Sequence, residues 1–316
     1  MPAPGALAAA LTAALIQLEG PALRPGSLAG SVSLPLERAA GGDTPVLSLQ
    51  SAGRPVRFLV DTGASSTLVS PQLVQRLGLP SAPIPPADFG LAGAGQGCRA
   101  LQPRRTTLPV LTVLAQPQPA GRAEEPLSLR DAEALVLPVG GLPPDVDGVL
   151  GAPQLRQLPL WIDPLGGRLA FGRQALHAAA GAATREVTVP LRWHRGVPLL
   201  SLATGRAAGS VQALADTGAE GLFITPALAL ALGSPGPGRP LRVAGFCGEQ
   251  PARWIQVHGP RLGAGPAASA PPLQAIVTAN PVFTALGIEA IVGQELLRPH
   301  RQLWRLDAIP PSLRLR

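Results

Sequence analysis

Two carboxylates stand where apolar runs end. Asp61 follows Phe58-Leu59-Val60 and Asp216 follows Ala213-Leu214-Ala215; each opens the same tetrapeptide, Asp61-Thr62-Gly63-Ala64 and Asp216-Thr217-Gly218-Ala219. A carboxylate leaving an apolar strand is costly unless it is hydrogen-bonded or put to use. Gly63 and Gly218 permit a tight turn that brings amide donors to the Asp oxygens, and the Thr62 and Thr217 hydroxyls can tie one loop to the other. Two such loops meeting about a pseudo-twofold axis put two carboxyl groups in contact. Like charges that close cannot both ionise near neutrality, so the pair holds one proton. One site then offers a base that activates water and an acid that polarises a carbonyl. The competing reading is that the loops serve turn geometry alone; retention of both aspartates argues against it, because a structural loop tolerates Asn there.

The elements that must position these loops are repeated with them. Residues 45–78 match residues 198–233, with Asp61 to Gly78 and Asp216 to Gly233 both 17 positions apart. Ser70-Pro71 and Thr225-Pro226 both fall nine positions after their Asp, and the segment 148–163 corresponds to 290–307. Matched blocks in matched order predict an internal duplication. Val46–Leu49 with Val56–Val60, and Leu199–Leu202 with Val211–Ala215, are short apolar runs between Gly and Pro, which predicts a hairpin in each half. Ser70 and Thr225 are good helix caps with Pro at the first helical position, so short helices are expected to end near Gly78 and Gly233. Further short strands are expected within 116–125 and 259–272.

With these residues in hand, the sequence resembles an aspartic protease of the retropepsin/pepsin type carrying both lobes on one chain, as in bacterial aspartyl proteases. The resemblance covers nearly everything after the amino-terminal segment. It implies an all-β fold of two pseudo-twofold-related, barrel-like lobes with short helices: a signal-like or flexible segment 1–34, an N-terminal lobe 35–175, a linker 176–186 and a C-terminal lobe 187–316. Asp61 and Asp216 would be catalytic, with Thr62, Gly63, Thr217 and Gly218 supporting the loops. Val149-Leu150-Gly151 and Ile291-Val292-Gly293 match the family's hydrophobic-hydrophobic-Gly strand, which threads behind each catalytic loop. Asp147-Gly148 before the first resembles bacterial versions, whereas the second lobe has Glu289-Ala290.

The family also carries flaps, Gly-rich hairpins that close over an extended peptide. Gly90 to Gly97 and Val243 to Gly248 sit where flaps would be, which makes Gly93, Ala94, Gly95, Gly245 and Phe246 substrate-binding candidates beside Ala64, Ser65, Ala219 and Glu220. In retropepsins an acidic residue after the Ala contacts substrate backbone; Glu220 fits that role and Ser65 departs from it. A pepsin-type flap tyrosine is excluded, since the chain has no Tyr. The resemblance implies endopeptidase chemistry on a peptide or protein substrate, with water held between the aspartates, a gem-diol intermediate and no metal or organic cofactor. Both halves lie on one chain, so a monomer is sufficient. The alternatives are a non-catalytic peptide-binding protein on the same fold, and an enzyme that processes only its own amino-terminal region.

Composition closes off other classes. At 46% hydrophobic and 14% charged residues over 316 positions, the chain can form a core. All 26 basic residues are Arg, but the net charge of +7 is scattered, Arg104-Arg105 being the densest pair, so no nucleic-acid partner is expected. Four His and two Cys lack metal-ligand spacing, and no G-x-S-x-G or H-E-x-x-H is present. The apolar stretch 5–20 is too short to span a bilayer. It is either a truncated signal peptide, which would mean a periplasmic or secreted protein, or an Ala-rich tail on a cytoplasmic one. Cys98 and Cys247 follow the two flaps; two free, mostly buried thiols are expected, with a flap-to-flap disulfide as the alternative in an oxidising compartment. Trp161 and Trp304, 10 and 11 positions after Gly151 and Gly293, are expected in core or inter-lobe packing.

Overall fold

A computed structural model describes residues 9–11, 14–95, 97–113, 125–138, 142–181, 186–205, 209–234, 236–263 and 272–316. The expected hairpins form. Strand Pro45–Ser51 pairs antiparallel with Arg54–Val60, and Val197–Ala203 with Ser210–Ala215. In both, the apolar residues that lead into the loop, Phe58-Leu59-Val60 and Ala213-Leu214-Ala215, have no exposure, so here both faces of the strand are covered. Helices Pro71–Leu77 and Pro226–Ala231 follow, their first turns capped by the Ser70 and Thr225 hydroxyls, which accept from the amides of Leu73 and Leu228.

Each lobe is built around one sheet, and the two sheets share an order. In the first, Pro45–Ser51 is followed by Arg54–Val60, Gly148–Leu150, Leu68–Val69 and Glu133–Val136. In the second, Val197–Ala203 is followed by Ser210–Ala215, Ala290–Val292, Leu222–Ile224 and Leu273–Val277. The senses agree as well: Gly148–Leu150 and Ala290–Val292 each run parallel to the strand entering the Asp-Thr-Gly loop and antiparallel to the strand leaving it. The molecule is mostly β with two barrel-like lobes.

A third sheet joins the lobes. It runs Val187–Pro190, Ser312–Leu315, Gln302–Arg305, Leu160–Asp163, Arg168–Phe171, Val32–Pro35. The seam is the pairing of Leu160 with Trp304 and of Trp161 with Leu303. Trp304 is fully buried, and its indole Nε1 donates to Gln302 Oε1 at 3.0 Å. Inter-lobe packing is therefore where both tryptophans lie.

Several boundaries differ from the sequence reading. The segment 1–34 is not a loose tail from residue 14 on. Leu15–Glu19, Ser27–Ala29 and Val32–Pro35 are strands, paired with Gly90–Gly93, Ser128–Arg130 and Arg168–Phe171. The physical reason is that these partners otherwise present unpaired sheet edges, and alternating apolar residues of the segment cover them. Within the linker 176–186, helix Arg173–Ala179 buries Ala175 and Ala179, and the lobe sheet resumes at Val187; residues 182–185 lie outside the described residues. Of the further strands expected, 114–124 and 264–271 are likewise outside them, while Arg261–Leu262 pairs with Leu202 and Ala203. Among the described residues no helix is long and apolar enough to cross a membrane.

Trp304→Ala empties the seam and is expected to cost about 3–5 kcal/mol. Urea unfolding followed by far-UV circular dichroism measures it; a cost near zero would show that the seam does not hold the lobes together.

Candidate active site

Each Asp-Thr-Gly loop is held from behind by the strand that the hydrophobic-hydrophobic-Gly motif forms. The Asp61 amide donates to Leu150 O at 3.1 Å and the Asp216 amide to Val292 O at 3.0 Å. One step on, the Ala152 amide donates to Ala64 O at 2.9 Å and the Gln294 amide to Ala219 O at 2.8 Å. A side chain at Gly151 or Gly293 would strike the backbone carbonyls of Ala64 and Ser66, or of Ala219 and Gly221, so the strand can pass this close only as glycine.

The two loops are then tied to each other. Thr62 Oγ1 donates to Ala215 O at 2.7 Å and accepts from the Thr217 amide at 3.0 Å. Thr217 Oγ1 donates to Val60 O at 2.6 Å and accepts from the Thr62 amide at 3.0 Å. All four residues around this crossing, Thr62, Thr217, Asp61 and Asp216, have no exposure.

This crossing brings the carboxyl groups together. Asp61 Oδ1 accepts from the Gly63 amide at 2.7 Å and Asp216 Oδ1 from the Gly218 amide at 2.7 Å. Neither Oδ2 receives a donor from the protein. The glycines serve a purpose beyond the turn: a Cβ on Gly63 would run into the Asp216 carboxyl, and one on Gly218 into that of Asp61.

Burial raises the Asp61 pKa well above the usual carboxylate range, and the neighbouring Asp216 charge raises it further. Burial also pushes Asp216 up, to about 6, with the Asp61 carboxyl and the amides of Gly218 and Ala219 restraining the rise. The pair thus holds one proton between its two carboxyls near neutrality.

The flaps depart from expectation in one lobe. Arg239–Gly245 and Gly248–Val257 form the expected hairpin, with Phe246 and Cys247 at its tip. Gly90–Gly93 does not fold back on its own lobe; it pairs with Leu15–Glu19, and the chain beyond it makes a 3₁₀ turn at Gly97–Ala100. Gln96 lies outside the described residues.

The flap tips meet. The Cys247 amide donates to Ala94 O at 3.0 Å, the Gly97 amide to Cys247 O at 2.7 Å, and the Gly95 amide to Gln250 Oε1 at 3.1 Å. Gly95, at φ +102°, lies so close to Cys247 O that a Cβ there would collide with it. Cys98 and Cys247 are joined in a disulfide, which corrects the expectation of two free thiols. The contact of the two tips places their sulfurs within bonding range.

Of the substrate-binding candidates, Gly93 pairs with Leu15, and Ala64 forms a bridge to the same residue. Phe246 is buried in the cluster that contains Leu15. Ala94, Gly95 and Gly245 are engaged in flap-to-flap contact, and Ala219 is buried with its carbonyl on Gln294. Ser65 and Glu220 have different partners within the chain. Glu220 is captured by the other lobe, accepting from the Asp43 amide at 2.7 Å, the Thr44 amide at 2.9 Å and the Thr44 hydroxyl. Ser65 meets peptide backbone: its amide donates to Leu15 O at 2.8 Å, and its Oγ accepts from the Gln17 amide at 2.8 Å.

Sequence reasoning missed Thr44, Gln17 and Gln294. Gln294 Nε2 donates to Thr217 O at 2.8 Å, and its place directly after Ile291-Val292-Gly293 was the available signal. Nothing in the sequence marked Thr44 as the partner of Glu220.

Two barrel-like lobes, each lending one Asp-Thr-Gly loop to a shared, buried pair of carboxyls, define an aspartic-protease-like fold. Residues 47–113, which include the first loop and the first flap strand, match a family profile described as aspartyl protease. No curated protein matches the chain. Among solved structures it is similar to basic 7S globulin from soybean, at 12% identity and a TM-score of 0.48 over 92% of this chain and 95% of that one. It is also similar to conglutin gamma, a basic 7S globulin from lupine seeds, at 11% identity and a TM-score of 0.50 over the same shares. At such identity the lupine likeness bears on the fold and on nothing else.

The raised carboxyl pKa values carry a stability consequence. Above pH 3.8, the usual Asp value, the unfolded chain releases these protons while the folded pair retains them. The pair's contribution is therefore full below that pH and is lost as pH rises through about 6 and beyond. The double variant Asp61→Asn/Asp216→Asn is expected to be more stable than the parent at pH 7, by on the order of 3 kcal/mol, with the gain vanishing near pH 4. Thermal melts across that range check this; a gain independent of pH would contradict it.

Proposed function

We propose that the protein is an aspartic endopeptidase of the single-chain, two-lobed kind. The observation that carries this reading is the contact of two buried carboxyls whose Oδ2 atoms receive no donor from the protein. A water held between those oxygens would have a base on one side and an acid on the other. Asp216, with the lower pKa, takes a proton as the water oxygen bonds to the scissile carbonyl carbon. Asp61 gives its proton to the carbonyl oxygen, and a gem-diol results. Collapse returns one gem-diol proton to Asp61, delivers the Asp216 proton to the leaving nitrogen, and breaks the C–N bond. Both carboxyls end as they began, with no covalent adduct and no cofactor in the cycle. Two carboxyls that hold one proton between them within a buried site suit general acid–base work.

A peptide-binding protein without catalysis is the second reading, and the complete burial of both aspartates favours it.

Asp61→Asn and Asp216→Asn separate the two. Cleavage of an unfolded, disulfide-free protein is assayed in thiol reductant from pH 4 to 9. Each variant is expected to lose about 10²–10⁴-fold in rate. The parent profile should rise through about pH 6 as Asp216 ionises and fall at alkaline pH as Asp61 loses its proton. Undiminished cleavage by either variant would overturn the dyad.

A further inference from the structure

The amino-terminal strand lies where a peptide must lie to reach the aspartates. Leu15 is bonded to the first catalytic loop on both sides of its peptide unit: its amide donates to Gly63 O at 3.2 Å, and its carbonyl accepts from the Ser65 amide at 2.8 Å. Two residues on, the Gln17 amide donates to Ser65 Oγ, and Gln17 Oε1 accepts from Ser66 Oγ at 2.9 Å. The strand's other edge is laddered antiparallel to the first flap, Leu15 to Gly93, Ile16 to Ala92 and Gln17 to Leu91. Ala9–Leu11 pairs in parallel with the second flap, Ala9 to Arg242 and Leu11 to Ala244. Leu15–Glu19 thus touches the first Asp-Thr-Gly loop and the first flap, and Ala9–Leu11 the second flap.

Its side chains are read as well as its backbone. Ala14, Leu15 and Ile16 have no exposure. Leu15 packs with Ala64, Phe246 and Cys247, and Ile16 in the cluster holding Ala92, Ala94, Val197 and Phe283. Main-chain ladders for affinity and pockets for successive side chains are how an extended peptide is recognised by strand addition. A substrate would need the same Gly63 and Ser65 groups and the same flap edge.

The roof over this strand is covalent. Cys98 beyond the first flap and Cys247 at the tip of the second are disulfide-bonded across 149 positions of sequence. Gly93 lies between Leu15 and Cys247, so the disulfide closes directly above the strand. Parting the flap tips to exchange one peptide for another requires that bond to break.

We infer that Leu15–Glu19 is a built-in occupant of the peptide cleft, latched there by the Cys98–Cys247 disulfide, and that the protein is latent until the disulfide is reduced. The inference rests on the endopeptidase reading and specifies its regulation. It also assigns the substrate class: extended peptides with adjacent aliphatic residues, following the Ala14-Leu15-Ile16 pattern. A tethered occupant acts at an effective concentration on the order of millimolar, which ordinary peptide substrates do not match. Release is a two-electron step: a low-molecular-weight thiol attacks one sulfur, a second thiol resolves the mixed disulfide, and two cysteine thiols and one oxidised reductant result. Cys98 is the more exposed of the two sulfur carriers and offers the point of attack.

The test uses the full chain, oxidised and after dithiothreitol treatment. Amide hydrogen exchange of Leu15 to Glu19 is followed beside cleavage of a carboxymethylated, unfolded protein. Reduction is expected to accelerate exchange of these amides at least 100-fold and cleavage at least tenfold. Cys98→Ser/Cys247→Ser should behave as the reduced protein without reductant, and reduction of the parent makes the same test if that variant does not fold. Asp61→Asn should show the accelerated exchange without cleavage. Equal exchange and equal cleavage in both redox states would overturn the latch. Full cleavage by the oxidised protein would overturn it too while leaving the endopeptidase reading intact. Accelerated exchange with no cleavage by the reduced parent would support the latch and overturn the endopeptidase reading.

Discussion

Four hydrogen bonds between Thr62 and Thr217 and the strands that lead into the opposite loops set the distance between the lobes at their centre. Each hydroxyl donates to one backbone carbonyl and accepts from one backbone amide, so neither threonine hydroxyl is left unpaired in its buried place. A net contribution of about 1 kcal/mol per bond is modest. The cost of breaking one is larger, because its partner would remain buried and unsatisfied. The arrangement also leaves no room for a side chain at Gly63 or Gly218, which lie against the opposing carboxyls. Contact between the carboxyls, their shared proton and their raised pKa values all follow from that fixed distance.

Around this centre, each lobe solves the same positional problem with the same strand order. A strand enters the loop, a second runs parallel behind it, and a third leaves antiparallel toward a capped helix. The lobes differ in what the residue after each Asp-Thr-Gly-Ala holds. Glu220 is bonded to the Asp43–Thr44 turn of the other lobe, whereas Ser65 is bonded to the amino-terminal strand Leu15–Glu19.

The sequence made the local features legible. Asp-Thr-Gly loops, capped helices and hairpins are set by residues close together in the chain, and the periodicity that places them survives in both halves. What it hid depends on edges and distant partners. That Leu15–Glu19 is a strand follows from the open edge of Gly90–Gly93 and the free groups of Gly63 and Ser65, none of them near it in sequence. Its apolar run, Ala14-Leu15-Ile16, reads equally well as a helix or a signal segment. The disulfide and the Glu220–Thr44 bonds were hidden for the same reason: they join residues of different lobes. Spacing alone could place the tips of the flaps near the axis but could not say that they touch.

The central claim is that one proton resides within a buried carboxyl pair near neutral pH. Carboxyl-carbon NMR of protein labelled at aspartate, followed from pH 3 to 10, measures this directly. One of the two site resonances, assigned with Asp61→Asn and Asp216→Asn, should stay at the protonated shift through neutrality while the other titrates near 6. Two independent titrations close to the ordinary aspartate value would mean that the carboxyls do not share a site.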